Sequence, residues 1–290
     1  EIAQARGAAQ GFQQPGRGLH GHHAKGRKAL EHLYLTAERR REPSDGNGHG
    51  THVTGLAVGA EGDQAWGAAP GAEWIAARAF DAEGKTDDLT LLAAADWMLH
   101  PGGGGMPPDP AQAPDIVNLS WTLDNGADDR FRPVLQAFRF ADILPVCATG
   151  NLEDLRDPWP RLMAPASYPE ALAVGASSRA DQPWLWGRLG PGFFGGVKPQ
   201  LLAPGEAIWS ALPDGETGTF SGSSMAAPLA AGAAAVVWGQ APGLRAHEVA
   251  TLLSASARDL GAPGADADLG WGRLDLAAAT VLAQRMAWVE

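Results

Sequence analysis

Four short runs constrain this chain more than anything else in it: DIVNLS (115–120), ILPVCATG (143–150), ALAVGAS (171–177) and KPQLLAPG (198–205). Each is apolar nearly throughout rather than at alternate residues, so each reads as a strand buried on both faces, the last running into a Pro-Gly turn. Around them lie stretches with helical spacing: LTLLAAADWML (89–99), 132–141, SSMAAPLAAGAAAVVWGQ (223–240), AHEVATLLSASA (246–257) and LDLAAATVLAQRM (274–286). A further strand is expected at 74–79 after a Pro-Gly turn, and a small-residue helix over 49–58. HPGGGGMPPDPAQAP (100–114) can only be loop. Strands alternating with helices predict an α/β fold, a doubly wound, mostly parallel sheet with helices on both faces. Functional residues in such sheets sit in loops at the carboxyl ends of strands. Here polar residues punctuate those ends, Ser-Trp-Thr after one strand and Thr-Gly-Asn after the next.

The first 44 residues read differently. They hold eight Lys or Arg against four Glu, half of the eight histidines, no Asp and no Val. With no alternation and no β-branched run, 1–44 is expected to be a poorly packed basic arm with no buried strand, and a short helix over 29–41 is the most it supports. The remainder, 45–290, is expected to form one domain. The whole chain is acidic, with a formal net charge of −11, which argues against nucleic acid as a partner because phosphates need a basic face. No apolar run is long enough to cross a bilayer. The single cysteine, Cys147, excludes an internal disulfide.

Three stretches carry chemistry. NGHGTHVTG (47–55) sets His49 and His52 three residues apart, compatible with a metal site, two ordinary helix histidines, or one catalytic base with a structural neighbour. GTFSGSSMAAP (218–228) delivers Ser224 to the first turn of a small-residue helix, where unpaired N–H groups and the positive dipole end suit a nucleophile whose attack creates an oxyanion. The plain alternative is that Ser221, Ser223 and Ser224 cap a core helix. ATGNL (148–152) places Asn151 after a buried strand, either as an oxyanion donor or as a turn residue. The strand ending in Ser120-Trp121 could pair with an extended peptide or simply be a strand.

Taken together and in this order, HGTH, TGN and GSSMAAP resemble the subtilisin-like serine proteases, with APGAEWIAARAF, AAADWMLHPGG, APDIVNLSW, YPEALAVGA, KPQLLAPG and LGWGRLD extending the likeness from Asp45 to Ala279. The likeness is to the bacillopeptidase F-like branch. The resemblance implies His49 as general base, His52 as its structural neighbour, Ser224 as nucleophile and Asn151 as oxyanion donor. It also implies that Ser120, Trp121 and Thr122 form the edge that pairs with substrate backbone, and that Gly150 begins the border of the pocket for the residue before the cut. Metal ligation by the two histidines is disfavoured, because no Glu lies between them as in an H-E-x-x-H helix. The family reading needs no cofactor; structural calcium is compatible with it but not indicated. It implies a polypeptide substrate and an exported protein, with signal and propeptide outside this chain.

One part of the family pattern is missing. A subtilase acid stands in a D-[ST]-G turn after a hydrophobic strand, upstream of the histidine, yet the first Asp here is Asp45. Aligning the arm regardless puts Gln14 nearest the acid's place, and glutamine orients an imidazole without stabilising imidazolium. Asp45 reads as a turn residue capping the histidine helix, and Glu31 as a remote substitute. Three explanations stay open: an acid upstream of this chain, an acid lost through a corrupted reading frame, and an acid lost outright. The expected function is accordingly a serine endopeptidase apparently lacking its triad Asp, with a catalytically silent, peptide-binding subtilase fold as the alternative. Thr122 and Glu153 stand where the family usually has glycines, so substrate preference does not carry over from relatives.

Overall fold

The computed structural model of the chain describes residues 2–3, 34–36, 44–102, 107–157 and 161–287. The four apolar runs become β6 (Ile116–Leu119), β7 (Leu144–Ala148), β8 (Leu172–Ser177) and β9 (Leu201–Pro204), paired in parallel and in that order. Their residues alternate between two cores. Ile116, Leu144, Val146, Leu172 and Val174 face one, and Val117, Leu119, Cys147 and Ala173 face the other. That two-sided burial is why the runs carry no polar alternation.

Helices cover both faces, as expected. α2 (Asp88–Leu99) and α3 (Arg132–Phe140) lie over one, while α4 (Ser223–Gln240), α5 (Ala246–Ala255) and α6 (Leu276–Ala287) lie over the other. α1 (His49–Val58) packs against α4. The Ala-rich surface of α4 permits close approach: a Cβ added to Gly232 would meet Ala68 Cβ at 2.7 Å and the Ala57 carbonyl at 2.8 Å. α4 touches α1, α5, α6 and all four parallel strands, and most of its length is buried.

The sheet continues past β6 as β2-β5-β1-β6-β7-β8-β9, with β5 at Ala76–Arg78. This wing corrects the reading of the arm. Tyr34–Thr36 forms β2, parallel to β5, inside the stretch expected to be helical. Its Tyr and Thr favour a pleated edge over a helix. Ile2–Ala3 forms β1, a central strand where none was expected, antiparallel to both β5 and β6. Two residues between two existing strands satisfy backbone groups on either side, which requires no long apolar run. The rest of the expected 29–41 helix lies outside the described residues.

Two hairpins were not foreseen. β3 (Ala60–Glu61) pairs with β4 (Gln64–Ala65), and β10 (Ile208–Ala211) with β11 (Thr217–Phe220). In the second, the Leu-Pro-Asp-Gly turn between two alternating stretches was a legible signal. The 100–114 loop also contains a single 3-10 turn at Pro110–Gln112. No helix among the described residues is long and apolar enough to cross a membrane.

Candidate active site

β6 and β7 end side by side, and the amino terminus of α4 sits over their carboxyl ends. Ser120, just past β6, is locked to Ser224 by a reciprocal pair. Ser120 Oγ donates to the Ser224 carbonyl at 3.0 Å, and Ser224 Oγ donates to the Ser120 carbonyl at 3.2 Å. Buried Asn118 on β6 holds Ser120 from below, its Nδ2 donating to Ser120 Oγ at 2.9 Å. Ser224 is therefore fixed to the end of β6, the edge on which substrate backbone was expected to pair.

Asn151, two residues after Thr149 at the end of β7, meets the same helix end. Its Oδ1 accepts from Ser223 N at 3.0 Å and from Ser223 Oγ at 3.1 Å. A backbone N–H can bond only to the amide oxygen, so the amide is oriented with Nδ2 turned away from Ser223. Ser223 Oγ also accepts from Gly150 N at 3.0 Å. Behind this, Arg188 Nε donates to the Asn151 carbonyl at 3.1 Å and Arg188 Nη2 to Asp157 at 2.8 Å. Gly222 must be glycine: its φ is +153°, and a Cβ there would lie 2.9 Å from Asn151 Nδ2. Ser224 is the second residue of α4, so its N–H has no carbonyl a turn earlier to bond and is available to a ligand.

The histidines separate as one exposed to a groove and one built into the core. His49 is half-buried at the first position of α1 and lines a groove of about 310 Å³ together with Ser120, Trp121 and Thr122. His52 is fully buried, stacked on Phe220 at 4.5 Å, with Nε2 against the carbonyls of Ile208 (3.1 Å) and Gly218 (3.3 Å). Those acceptors require the proton on Nε2, so His52 ties α1 to the β10–β11 hairpin. Among the described residues no cluster of three or more His, Cys, Asp or Glu is arranged for a metal ion.

Asp45 is the turn residue that the sequence reading anticipated. Its carboxylate accepts from Asn47 N, Gly48 N, Thr51 N and Thr51 Oγ at 2.7–3.0 Å, closing the turn into α1. Partial burial pushes its carboxyl up, but these bonds, those of Thr51 foremost, outweigh it and hold the group below the usual carboxylate range. Burial pushes the His49 imidazole down to about 4, with His52 acting the same way and Asp45 opposing. His49 is thus a neutral imidazole at physiological pH, because burial outweighs the opposing charge of Asp45. Gln14 and Glu31, the other residues considered near it, lie outside the described residues.

Sequence reasoning underrated Ser223, whose buried hydroxyl joins Gly150 to Asn151; the Gly-Ser-Ser-Met string offered it only as a cap. It missed Phe80 and Asp81, which share the groove with His49 and carried no signal until the fold brought their loop alongside.

Comparison with known proteins gives the family. A family model described as Subtilase family matches residues 18–272, reaching back into the arm. Bacillopeptidase F of Bacillus subtilis (strain 168) is 38% identical over 223 residues, covering 75% of this chain but 15% of that protein. Subtilisin DY of Bacillus licheniformis is 27% identical over 219 residues, 75% of this chain and 73% of the relative. Subtilisin-like protease 6 of Trichophyton verrucosum (strain HKI 0517) is 32% identical over 196 residues, 67% and 44% of the two chains. The chain belongs to the subtilisin-like serine protease family, the subtilases.

Proposed function

We propose that this chain is a serine endopeptidase domain that cleaves extended polypeptides, working at reduced rate because its sequence lacks the Asp-Ser-Gly or Asp-Thr-Gly turn that carries the family's triad acid. Ser224 Oγ attacks the scissile carbonyl carbon as its proton passes to His49 Nε2, and the new C–O bond converts the carbonyl oxygen to an oxyanion. Asn151 Nδ2 and the Ser224 N–H donate to that oxygen. The His49 proton then goes to the departing amine as the C–N bond breaks, and water, deprotonated by His49, releases the acyl group. Ser120, Trp121 and Thr122 hold the substrate backbone, with Gly150 bordering the pocket for the residue before the cut. We place the domain outside the cell, acting on polypeptide rather than nucleic acid or membrane, and with no cofactor in the chemistry.

The observation that carries this reading is the oriented Asn151 amide, whose oxygen is engaged by Ser223 and whose donor end is left to face a ligand. A second reading, a silent fold that binds peptides, draws on the Ser224 hydroxyl donating to the Ser120 carbonyl and on the depressed His49. The test is labelling with a fluorophosphonate together with peptide hydrolysis from pH 6 to 10, on this chain and on its Ser224→Ala variant. Slow labelling and slow turnover confined to the unmodified chain are expected. Equal background in both, with peptide binding retained, would establish the silent fold.

A further inference from the structure

The groove beside His49 has a composition that its role as a backbone-pairing edge does not require. It is lined by the aromatic residues Phe80 and Trp121 and by the acidic residues Asp45 and Asp81, and no Lys or Arg is among the described residues that line it. Asp81 is held in its loop by hydrogen bonds. Its Oδ1 accepts from Glu83 N at 3.1 Å and Lys85 N at 2.7 Å, and Asn47 Nδ2 donates to the Ala82 carbonyl at 3.1 Å, pinning the loop to the turn before α1. Both bonds fall on Oδ1, which leaves Oδ2 for a ligand. Asp45 keeps its charge through four hydrogen bonds, and His49, being neutral near pH 7, does not cancel it.

From this arrangement of two aromatic walls and two carboxylates we infer that the groove is a specificity subsite for a cationic side chain, a lysine or arginine of the substrate lying on the Ser120–Thr122 side of the scissile bond. The inference rests on the protease reading above and names its substrate class. An aliphatic side chain would pack against Phe80 and Trp121 as well, but it would offer no partner to Asp81 Oδ2, whereas the Asp45 oxygens are already bonded. A lysine or arginine lays its methylenes along the rings, sets its charge near their faces and reaches Asp81 with its tip. Thr122, which replaces one of the family's usual glycines, lines the same groove.

The experiment uses the Ser224→Ala form of the full chain, so that nothing is cleaved, and fluorescein-labelled hexapeptides of Ala and Gly. A single lysine is moved stepwise along the peptide, with norleucine at the same positions as its uncharged isostere. At one register lysine should bind roughly tenfold tighter than norleucine, and most of that gap should close at about 0.5 M salt. Asp81→Asn keeps the Oδ1 acceptor for the loop and should close the gap to about twofold, removing the charge without the turn. Equal binding of lysine and norleucine at every register, or a gap that survives Asp81→Asn, overturns the inference while leaving the peptide groove intact. Absence of binding by any peptide also overturns it, and the protease reading falls with it only if fluorophosphonate fails to label Ser224 in the unmodified chain.

Discussion

The two wings of the sheet are built to different standards. From β6 to β9 the strands are four to six residues long, parallel, and buried on both faces against α4. Across β6 the strands are two or three residues long, and one runs against its neighbours. The proposed nucleophile and oxyanion donor, Ser224 and Asn151, stand on the first wing, where buried and part-buried hydrogen bonds hold them. His49 stands beside the second, where the carboxylate of Asp45 is committed to the turn into α1. The lesson is that residues of one candidate site can rest on structurally unlike parts of the same sheet.

The largest effect should come from supplying the weak wing. Replacing 1–44 with a hydrophobic strand ending in Asp-Thr-Gly should raise kcat for peptide hydrolysis by roughly 10³–10⁴-fold, near the cost of losing the acid from a subtilisin triad. That gain corresponds to about 4–6 kcal/mol of transition-state stabilisation. Full activity in the unmodified chain would instead show that another carboxylate serves His49. In the restored enzyme Asn151→Leu should lower kcat by about 10²–10³-fold with KM little changed, since the donor acts on the oxyanion rather than on the bound peptide. A loss confined to KM would contradict that role. Ser223→Ala removes the hydroxyl that joins Gly150 to Asn151, and should destabilise the chain by about 1–3 kcal/mol in denaturant melts, because buried partners are stranded. A neutral Ser223→Ala would mean the strong wing is less rigid than its bonds imply.

Two smaller effects concern pH. Because His49 sits near 4, the rate of Ser224 labelling should be flat from pH 6 to 7.5, with its acid limb close to pH 4. An acid limb near 6.5 would place a carboxylate or solvent beside His49, and any rise above pH 8 belongs to hydroxide. Lys198 is fully buried, donating to the Tyr168 and Ala171 carbonyls at 2.7 Å, and burial pushes its ammonium down to about 7. The unfolded chain then binds a proton between about pH 7 and 10.5 that the folded chain does not. Stability should therefore rise with pH through that window. Lys198→Met should flatten the slope in chemical melts at pH 7 and 9.

What could be read from the sequence divides along the same line. The two-sided apolar runs fixed β6 to β9, and caps and small-residue spacing placed α1 and α4 at their observed starts, because burial dictates those patterns locally. Asp45 was legible as a cap since its partners lie within six residues. β1 and β2 were not legible: two or three residues carry no period, and what makes them strands is a neighbouring edge many residues away. Phe80 and Asp81 were invisible for the same reason. The groove they share with His49 exists only once β5 delivers their loop to α1.

α4 has a consequence for how the molecule opens. A helix in contact with α1, α5, α6 and four strands cannot detach without dissolving the core on its face of the sheet. Its amides should therefore exchange with deuterium only through global unfolding, whereas β3–β4 and the 81–85 loop should exchange by local excursions. Ser224 sits at the first turn of that slowest-exchanging element, so a loosened groove or a strained arm would alter what the domain binds long before it dislodged the nucleophile.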